Sequence, residues 1–353
     1  MKILSFKRFT RLIMPKENKL VTVLVLNWNG KRFLQKCIGS LLNQDYLMYE
    51  VLLIDNASTD GSVEYVRNLF GVQNKLRILS LNKNYGFSKG NNIGLQSCSK
   101  SAYVVILNND TEVKENFISE LVNVADSDEQ VGSVGCKILS PDQTVWFSQK
   151  FTNGGFIVPF LLQTLVGKRI DEISNKFTVN LSNSGCAVLL RKSVIDKIGC
   201  YDEDFRSNWE DWDLGYRINL AGFKSVQIPK QLVFHVGGGS EGFSPERCVK
   251  IYRNMLFTYF KNYDDFNLIV RFPFLLFILL PTFHFGWFIH RLLWNQPDFY
   301  KGKELHYFVS MEKAVYEFLV MLKIFVIKRR FLKGLRKTSD KTIFSNTSMK
   351  SLL

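Results

Sequence analysis

Between residues 20 and 108 two kinds of apolar pattern alternate, and that alternation constrains the fold more than any other feature. "LVTVLVLN" (20–27) is a continuous apolar, β-branched run, the mark of a strand buried on both faces. "RFLQKCIGSLLNQ" (32–44) instead places Phe33, Leu34, Cys37, Ile38, Leu41 and Leu42 at helical spacing. "EVLLIDN" (50–56) reads as a second buried strand and "GSVEYVRNLF" as a second helix, with Ser62 near its start. "LRILSLN" (76–82) and "AYVVILN" (102–108) are further strands, separated by a short helix in "GNNIGLQSCS". Strict alternation predicts an α/β fold, a mostly parallel Rossmann-like sheet flanked by helices, with functional loops at the carboxyl ends of the strands.

Those ends are polar. "NWNG" (27–30), "DNASTDGS" (55–62), "NKNYGFSKGNN" (82–92) and "NND" (108–110) close the four strands in turn. One Asx-rich end is a turn. Four in succession, at the edge where open α/β sheets bind nucleotides, point to a site. Further on, "VWFSQKFTNGGFIVPFLLQTLVGK" (145–168) has no clear period and reads as a loop or lid. "GCAVLLRKSVIDKIG" (185–199) is a strand running into a helix, and "EDWDLGYRINLAG" (210–222) a helix with an acidic first turn, ended by Gly222. "KSVQIPKQLVFHV" suggests two short strands before the glycines at 237–239. Ser244, Pro245 and Glu246 then open a helix to about Tyr263.

A hydrophobic content of 46% excludes general disorder. Six scattered cysteines without a Cys-x-x-Cys pair argue for a reducing compartment and against a zinc or disulfide framework. The first twenty residues are basic, and charges interrupt each apolar stretch, unlike a secretory signal. The net charge of +14 is localised: residues 21–250 carry 24 basic and 24 acidic side chains, whereas 1–20 carry six and one and 251–353 carry sixteen and seven. A neutral body with basic ends suits an anionic membrane surface better than nucleic acid. "FPFLLFILLPTFHFGWFI" (272–289) holds no formally charged residue, at the lower limit for spanning, and Pro273, Pro281, Gly286 and His284 weaken a straight span. "AVYEFLVMLKIFVI" (314–327) is amphipathic and runs into 323–337, with seven basic and no acidic residues. The expectation is monotopic or shallow re-entrant attachment at the cytoplasmic face, basic residues at the headgroups, with a single span or a buried helical subdomain as alternatives. The expected layout is a basic arm (1–19), a catalytic domain (20–262), a helical membrane-associated region (263–338) and a flexible tail (339–353).

The segments "VTVLVLNWNG", "VLLIDNASTDGS", "NYGFSKGNN", "VVILNND", "GCAVLLRKSVIDKIGCYDEDF", "NWEDWDLGYRINLAGFK" and "VFHVGGGS", in order over about 20–262, resemble the family-2 glycosyltransferases, in particular the rhamnosyltransferase-like branch. The resemblance implies the A-type glycosyltransferase fold, a nucleotide-diphosphate sugar donor (dTDP- or UDP-linked), Mg2+ or Mn2+, and inversion at the anomeric carbon. The acceptor would be a glycan, lipid-linked if the membrane expectation holds, as in surface polysaccharide assembly. Asn27 and Trp28 fall where the family contacts the base, although an indole there can equally be core. Asp55 matches the acid that bonds uracil or thymine; a turn cap is the alternative. Gly86, Lys89 and Asn91 fall on the segment facing ribose and diphosphate, where a solvated lysine is also ordinary. The family usually has Asp-x-Asp at "NND": Asp110 occupies its metal-binding position, and Asn109 replaces an acid but can still bond the ribose. The ion is then expected to bind weakly without donor. His235 matches the second metal ligand, though lone strand-end histidines are commonly structural.

An inverting transfer needs a base on the acceptor hydroxyl and no covalent nucleophile. "NWEDWDLGYR" offers Glu210, Asp211 and Asp213 in one turn. Acids complementing a helix N-terminus suffice for Asp213. They do not explain the pair between Trp209 and Trp212, aromatics suited to the wall of a sugar subsite. The family's Glu-Asp pair aligns with Glu210 and Asp211, its second member being the base. Two other functions fit part of the pattern: a nucleotidyltransferase, for which "NWNGKRF" is a poor phosphate loop, and a non-catalytic membrane adaptor on the same fold, against which the intact acidic set speaks.

Overall fold

A computed structural model describes residues 19–140, 177–237, 244–276 and 304–346 of the chain. The arm before residue 19, the loop at 145–168 and most of 272–289 lie outside the described residues.

The predicted alternation forms the first half of one sheet. Strands β1 (Val21–Asn27), β2 (Tyr49–Asp55), β3 (Leu76–Ser80) and β4 (Tyr103–Asn108) are parallel, in the order β3-β2-β1-β4. Helices α1 (Lys31–Leu42), α2 (Ser62–Phe70) and α3 (Gly86–Gln96) connect them. Val21, Val23, Val25, Leu34, Ile38, Val51, Leu53, Val105 and Leu107 are buried in one cluster on the α1 face, and Leu24, Leu52, Ile54 and Val104 in another on the opposite face. Each such side chain removed from water contributes about 1.5–3 kcal/mol, so both faces of the runs are used. Helix α3 lies close on the sheet because it carries glycine there: a Cβ on Gly94 would overlap Ile54 Cδ1.

Beyond β4 the sheet becomes mixed. Strand β5 (Thr111–Val113), helix α4 (Phe117–Ser127) and strand β6 (Val131–Leu139) follow, in a stretch where periodicity set no boundaries. They are followed by β7 (Thr178–Asn180), β8 (Ala187–Arg191), α5 (Lys192–Ile198), α6 (Glu210–Leu220) and β9 (Lys224–His235). The order continues β4-β8-β6-β9-β5, with β4–β8, β6–β8 and β5–β9 antiparallel and β6–β9 parallel. The two short strands expected over 224–236 are one strand. Pro229 does not break it; the register against β6 slips between Gly135 and Lys137 instead.

Helix α7 (Pro245–Asn262) begins as expected, Ser244 Oγ accepting from the Arg247 N–H. Helices α8 (Asp265–Phe274), α9 (Glu304–Leu335) and α10 (Asp340–Asn346) follow. Two expectations change here. Residues 340–346 are helical rather than a flexible tail, because Asp340 is fully buried and accepts from the Asp264 N–H, Asn267 and Arg336. The basic run at 323–337 is also only partly available to a membrane. Lys328 pairs with Asp202 and Asp204, Arg329 and Lys333 with Asp265, and Arg336 with Asp340. With Phe325 stacked on Phe257 at 3.5 Å between ring centroids, these pairs fasten α9 to the body. Among the described residues no helix is long and apolar enough to cross a membrane.

The polar centre of this half corrects the reading of Asp213. It is fully buried and takes Arg217 Nε at 2.8 Å, Lys261 Nζ at 3.0 Å and Asn262 Nδ2 at 2.7 Å, which ties α6 to α7. Lys261 continues to Asp202, and Lys328 joins there. Burial alone would raise the Asp202 carboxyl, but Lys261 and Lys328 outweigh it and hold it well below the ordinary range. A carboxyl lowered by folding contributes stability above its unfolded pKa, about 3.9, and that contribution is lost as pH falls through the folded value. Removing one partner of a buried pair leaves an uncompensated charge, so Asp213→Ala is expected to cost ~3–5 kcal/mol in urea unfolding. A loss below ~1 kcal/mol would show that Asp213 merely complements a helix terminus.

Candidate active site

Register brings the polar strand ends together. Asn27 pairs with Asp55 across β1 and β2, and Leu26 with Asn108 across β1 and β4. Asn27 is fully buried: its Nδ2 donates to Asp55 Oδ1 at 3.2 Å and Ser58 Oγ at 3.1 Å, and its Oδ1 accepts from Asn109 Nδ2 at 2.7 Å. Asp55 Oδ2 accepts from the Ser58 N–H at 3.0 Å. Asn56 extends the set to the loop after β3, donating to Asn84 Oδ1 and accepting from the Tyr85 N–H. Asn29 (φ 50°) and Ala57 (φ 61°) hold left-handed backbone in the same loops, a cost of ~1–3 kcal/mol each borne by these bonds. The asparagines therefore form a hydrogen-bonded floor. Trp28, 40% exposed at its rim, is open to stack on a ring.

The third strand end fits its expected part less directly. Gly86 has φ 78°, and its close backbone neighbour is the Arg206 carbonyl, which also accepts from the Ser88 N–H. Lys89 is paired with Glu203 at 3.0 Å, both half-exposed. Asn91 is buried, gives its Nδ2 to the Phe87 carbonyl, and leaves Oδ1 without a partner among the described residues. Its side chain points from α3 into the protein interior.

Asp110 stands buried at the bend between β4 and β5, with His235 Nε2 3.1 Å from its Oδ1. The β5–β9 register opposes Thr111 to His235, and the Val236 N–H bonds the Asp110 carbonyl, so the backbone holds the two side chains face to face. A carboxylate and an imidazole are ligands that Mn2+ accepts, and Mg2+ commonly takes one or two protein ligands and completes its shell with phosphate oxygens and water. Among the described residues no group of three such side chains is gathered, so the pair fits an ion shared with a diphosphate.

The acidic turn lies across a short bridge from this pair. Asp211, at the start of α6, accepts from the Gly185 N–H at 2.9 Å and from the N–H of its neighbour Trp212 at 2.8 Å. The residue after Gly185 is Cys186, whose carbonyl accepts from the Asn108 N–H at 2.9 Å, two residues before Asp110. Burial raises the Asp211 carboxyl above the ordinary range, although the Gly185 and Trp212 N–H groups oppose it. Helix α6 is pressed onto this segment, since a Cβ on Gly215 would stand 2.5 Å from the Leu181 carbonyl oxygen. Arg206, Asn208 and Trp209, just before α6, all have positive φ, and buried Asn254 of α7 directs its amide N–H groups at the carbonyls of Phe205, Ser207 and Asn208. Glu210 is buried beside Asp211. Trp209 departs from the subsite wall expected of it: it is buried in an apolar cluster with Phe205, Tyr216 and Phe257 and stacks on Trp212 at 5.5 Å.

Sequence reasoning passed over Tyr201, Gly185 and Asn254. Tyr201 is buried, its phenol has no hydrogen-bond partner among the described residues, and both it and Asp211 border Gly185. Burial, then Cys200 and the Glu210 and Asp211 charges, push the phenol well above its ordinary range, so it stays protonated as a donor next to the acidic pair. Only the motif containing it, "GCYDEDF", marked this stretch. No periodicity does.

Gly30 tests whether the floor is a single unit. A Cβ there would overlap Asn109 Nδ2 and stand 2.5 Å from Asn27 Oδ1, so Gly30→Ala has to separate that pair. The expected loss is ~1–3 kcal/mol in urea unfolding. Gly334, in α9 with nothing within 4 Å of its Cβ position, is the control, and Gly334→Ala should stabilise. The gain expected there is ~0.5–1 kcal/mol. An unchanged Gly30→Ala midpoint would contradict the floor.

Residues 22–199 match the model described as glycosyl transferase family 2. Glycosyltransferase GlyG of Streptococcus pneumoniae serotype 4 is 32% identical over 119 residues, 33% of this chain and 39% of its own. The match thus spans well under half of that relative. The N-acetylglucosaminyl-diphospho-decaprenol L-rhamnosyltransferase of Mycobacterium tuberculosis is 25% identical over 245 residues, 64% of this chain and 79% of its own. Among solved structures, the mannosyltransferase PcManGT from Pyrobaculum calidifontis, in complex with GDP-Man and Mn2+, is similar at a TM-score of 0.53 and 15% identity, covering 89% of this chain and 85% of that one. That likeness carries the fold, the A-type glycosyltransferase architecture that the motifs imply. With half the chain matched in one block, from β1 through α5, the chain belongs to glycosyl transferase family 2.

Proposed function

We propose that the chain is an inverting glycosyltransferase that moves a sugar from a dTDP- or UDP-linked donor to a hydroxyl of a lipid-linked glycan at the cytoplasmic face of a membrane. The observation that carries the proposal is the short bridge between two unlike sites, Asp211 on Gly185 and the Asp110–His235 pair beside Cys186. Asp55 and Trp28 form the base end of the donor site and Asn109 its ribose end, while Asn27, buried beneath them, holds Asp55 and Asn109 in place. Asp110 and His235 would hold Mg2+ or Mn2+, which supplies positive charge to the donor diphosphate. Asp211 takes the proton of the acceptor hydroxyl as its oxygen bonds to the anomeric carbon and the nucleoside diphosphate departs from the opposite face. Glu210 orients the acceptor, and the Tyr201 phenol borders the same space. The mycobacterial relative's name describes a polyprenyl-diphosphate acceptor, which supports a lipid-linked acceptor here. The basic ends of the chain support the membrane location.

Asp211→Asn is expected to lower turnover by ~10²- to 10⁴-fold while donor affinity persists, and Glu210→Gln chiefly to weaken acceptor binding. An active Asp211→Asn enzyme beside an inactive Glu210→Gln enzyme would reverse the two roles. Only ionised Asp211 accepts a proton, and burial raises its pKa. Turnover should therefore fall as pH drops through a value above the ordinary carboxylate range, and an acid limb at or below that range would contradict the assignment.

EDTA should abolish wild-type turnover and excess Mn2+ should restore it. Asp110→Ala should lose most turnover without rescue, while His235→Ala should need more Mn2+ for the same rate. Full wild-type turnover in EDTA would remove the metal from the account.

A further inference from the structure

Helix α9 is apolar on two faces, and only one of them has a partner among the described residues. Ala314, Phe318, Phe325 and Leu332 are buried against the α7 layer, while Tyr316, Leu319, Val320, Ile324, Ile327 and Phe331 are 44–68% exposed. The exposed six recur at three- and four-residue intervals, so they form one stripe on the side opposite the buried set. From Tyr316 to Phe331 the stripe runs about 22 Å. Asp265, held by Arg329 and Lys333, brings the start of α8 to the same end, and α8 exposes Phe266, Ile269 and Val270. Monomeric soluble proteins seldom leave a contiguous apolar patch of this kind uncovered.

We infer that this outward face of α9 docks on an anionic lipid bilayer, lying in the headgroup layer rather than crossing it. Charge selects the occupant. Among the described residues the exposed side of the helix carries Lys313, Lys323 and Arg330 against Glu312. A second copy of this chain related by a twofold axis would set those bases against their own counterparts, whereas acidic headgroups complement them. No described helix is long and apolar enough to cross a membrane, which leaves a surface mode for α9. The inference deepens the proposed membrane location by naming its surface, and it changes which residues do the docking. Lys328, Arg329, Lys333 and Arg336, counted from the sequence among the lipid-facing bases, point to Asp202, Asp204, Asp265 and Asp340 instead. One side of the helix is thereby fastened to the loop that leads into Glu210 and Asp211, and the other faces outward.

The test is co-sedimentation of the full chain with vesicles of phosphatidylglycerol and phosphatidylcholine, compared with phosphatidylcholine alone. Binding should require the anionic lipid and weaken with salt. Leu319→Glu and Ile327→Glu should each weaken it at least roughly tenfold, because each takes a buried aliphatic contact from the lipid and adds an acid. Lys323→Ala and Arg330→Ala should each weaken it roughly fivefold at low salt. Melting temperatures should stay at the wild-type value, since these side chains touch solvent. Glutamate variants that bind as well as wild type would overturn the face while leaving the membrane location standing. A wild type that ignores anionic vesicles would overturn both. A melting temperature lowered by several degrees would show that the chain itself covers the stripe, and a wild-type dimer dissolved by the substitutions would show a second copy there; either outcome overturns the inference.

Discussion

Two consecutive residues carry the geometry of the site through their backbone groups. The Gly185 N–H holds the Asp211 carboxylate, and the Cys186 carbonyl accepts from the Asn108 N–H, two residues before Asp110. Side chains from α6 and from the β4–β5 bend, far apart in the chain, are thereby set on one short rigid segment. A base that must reach the acceptor hydroxyl on the face of the anomeric carbon opposite the departing diphosphate depends on such a fixed separation. Glycine at 185 leaves room for it, because a Cβ there would press on Tyr201 at 3.3 Å and on Asp211 at 3.4 Å.

The other features of the second half support that segment. Gly215 lets α6 approach Leu181 and Ser182 just before it, Asn254 holds the three carbonyls of the left-handed turn before α6, and Asp213 anchors the helix to α7 through Lys261 and Asn262. The same network reaches α9 through Asp202 and Lys328. Backbone strain at Arg206, Asn208 and Trp209 is thus confined to the one loop where α7 supplies compensating bonds.

Much of this was legible in the residues. Buried runs of Val, Leu and Ile marked the parallel strands, and their Asx-rich ends marked the edge where the candidate site lies. Asp110, His235, Asp55 and Asn27 fall together there because strand register leaves them no alternative. The rest failed for physical reasons. Polar residues at strand ends hydrogen-bond either a ligand or one another, and composition does not separate the two; Asn27 and Asn56 do the latter. Trp209 and Asp213 are in the core because their partners, Trp212, Phe205, Lys261 and Asn262, come from other elements or from a turn whose shape the sequence does not state. The basic run at 323–337 looked like a headgroup patch because its four carboxylate partners are spread over residues 202–340.

The most direct measurement is the identity of the nucleotide released when the protein is incubated with dTDP- and UDP-sugars, Mn2+ and a polyprenyl-diphosphate-linked sugar. Phosphorus NMR should show a nucleoside diphosphate formed in step with a lengthened lipid-linked glycan, and proton NMR of that glycan should show the anomeric configuration inverted. Pyrophosphate among the products would instead mean nucleotidyl transfer, and a retained configuration would remove Asp211 from its place as the base of a single displacement.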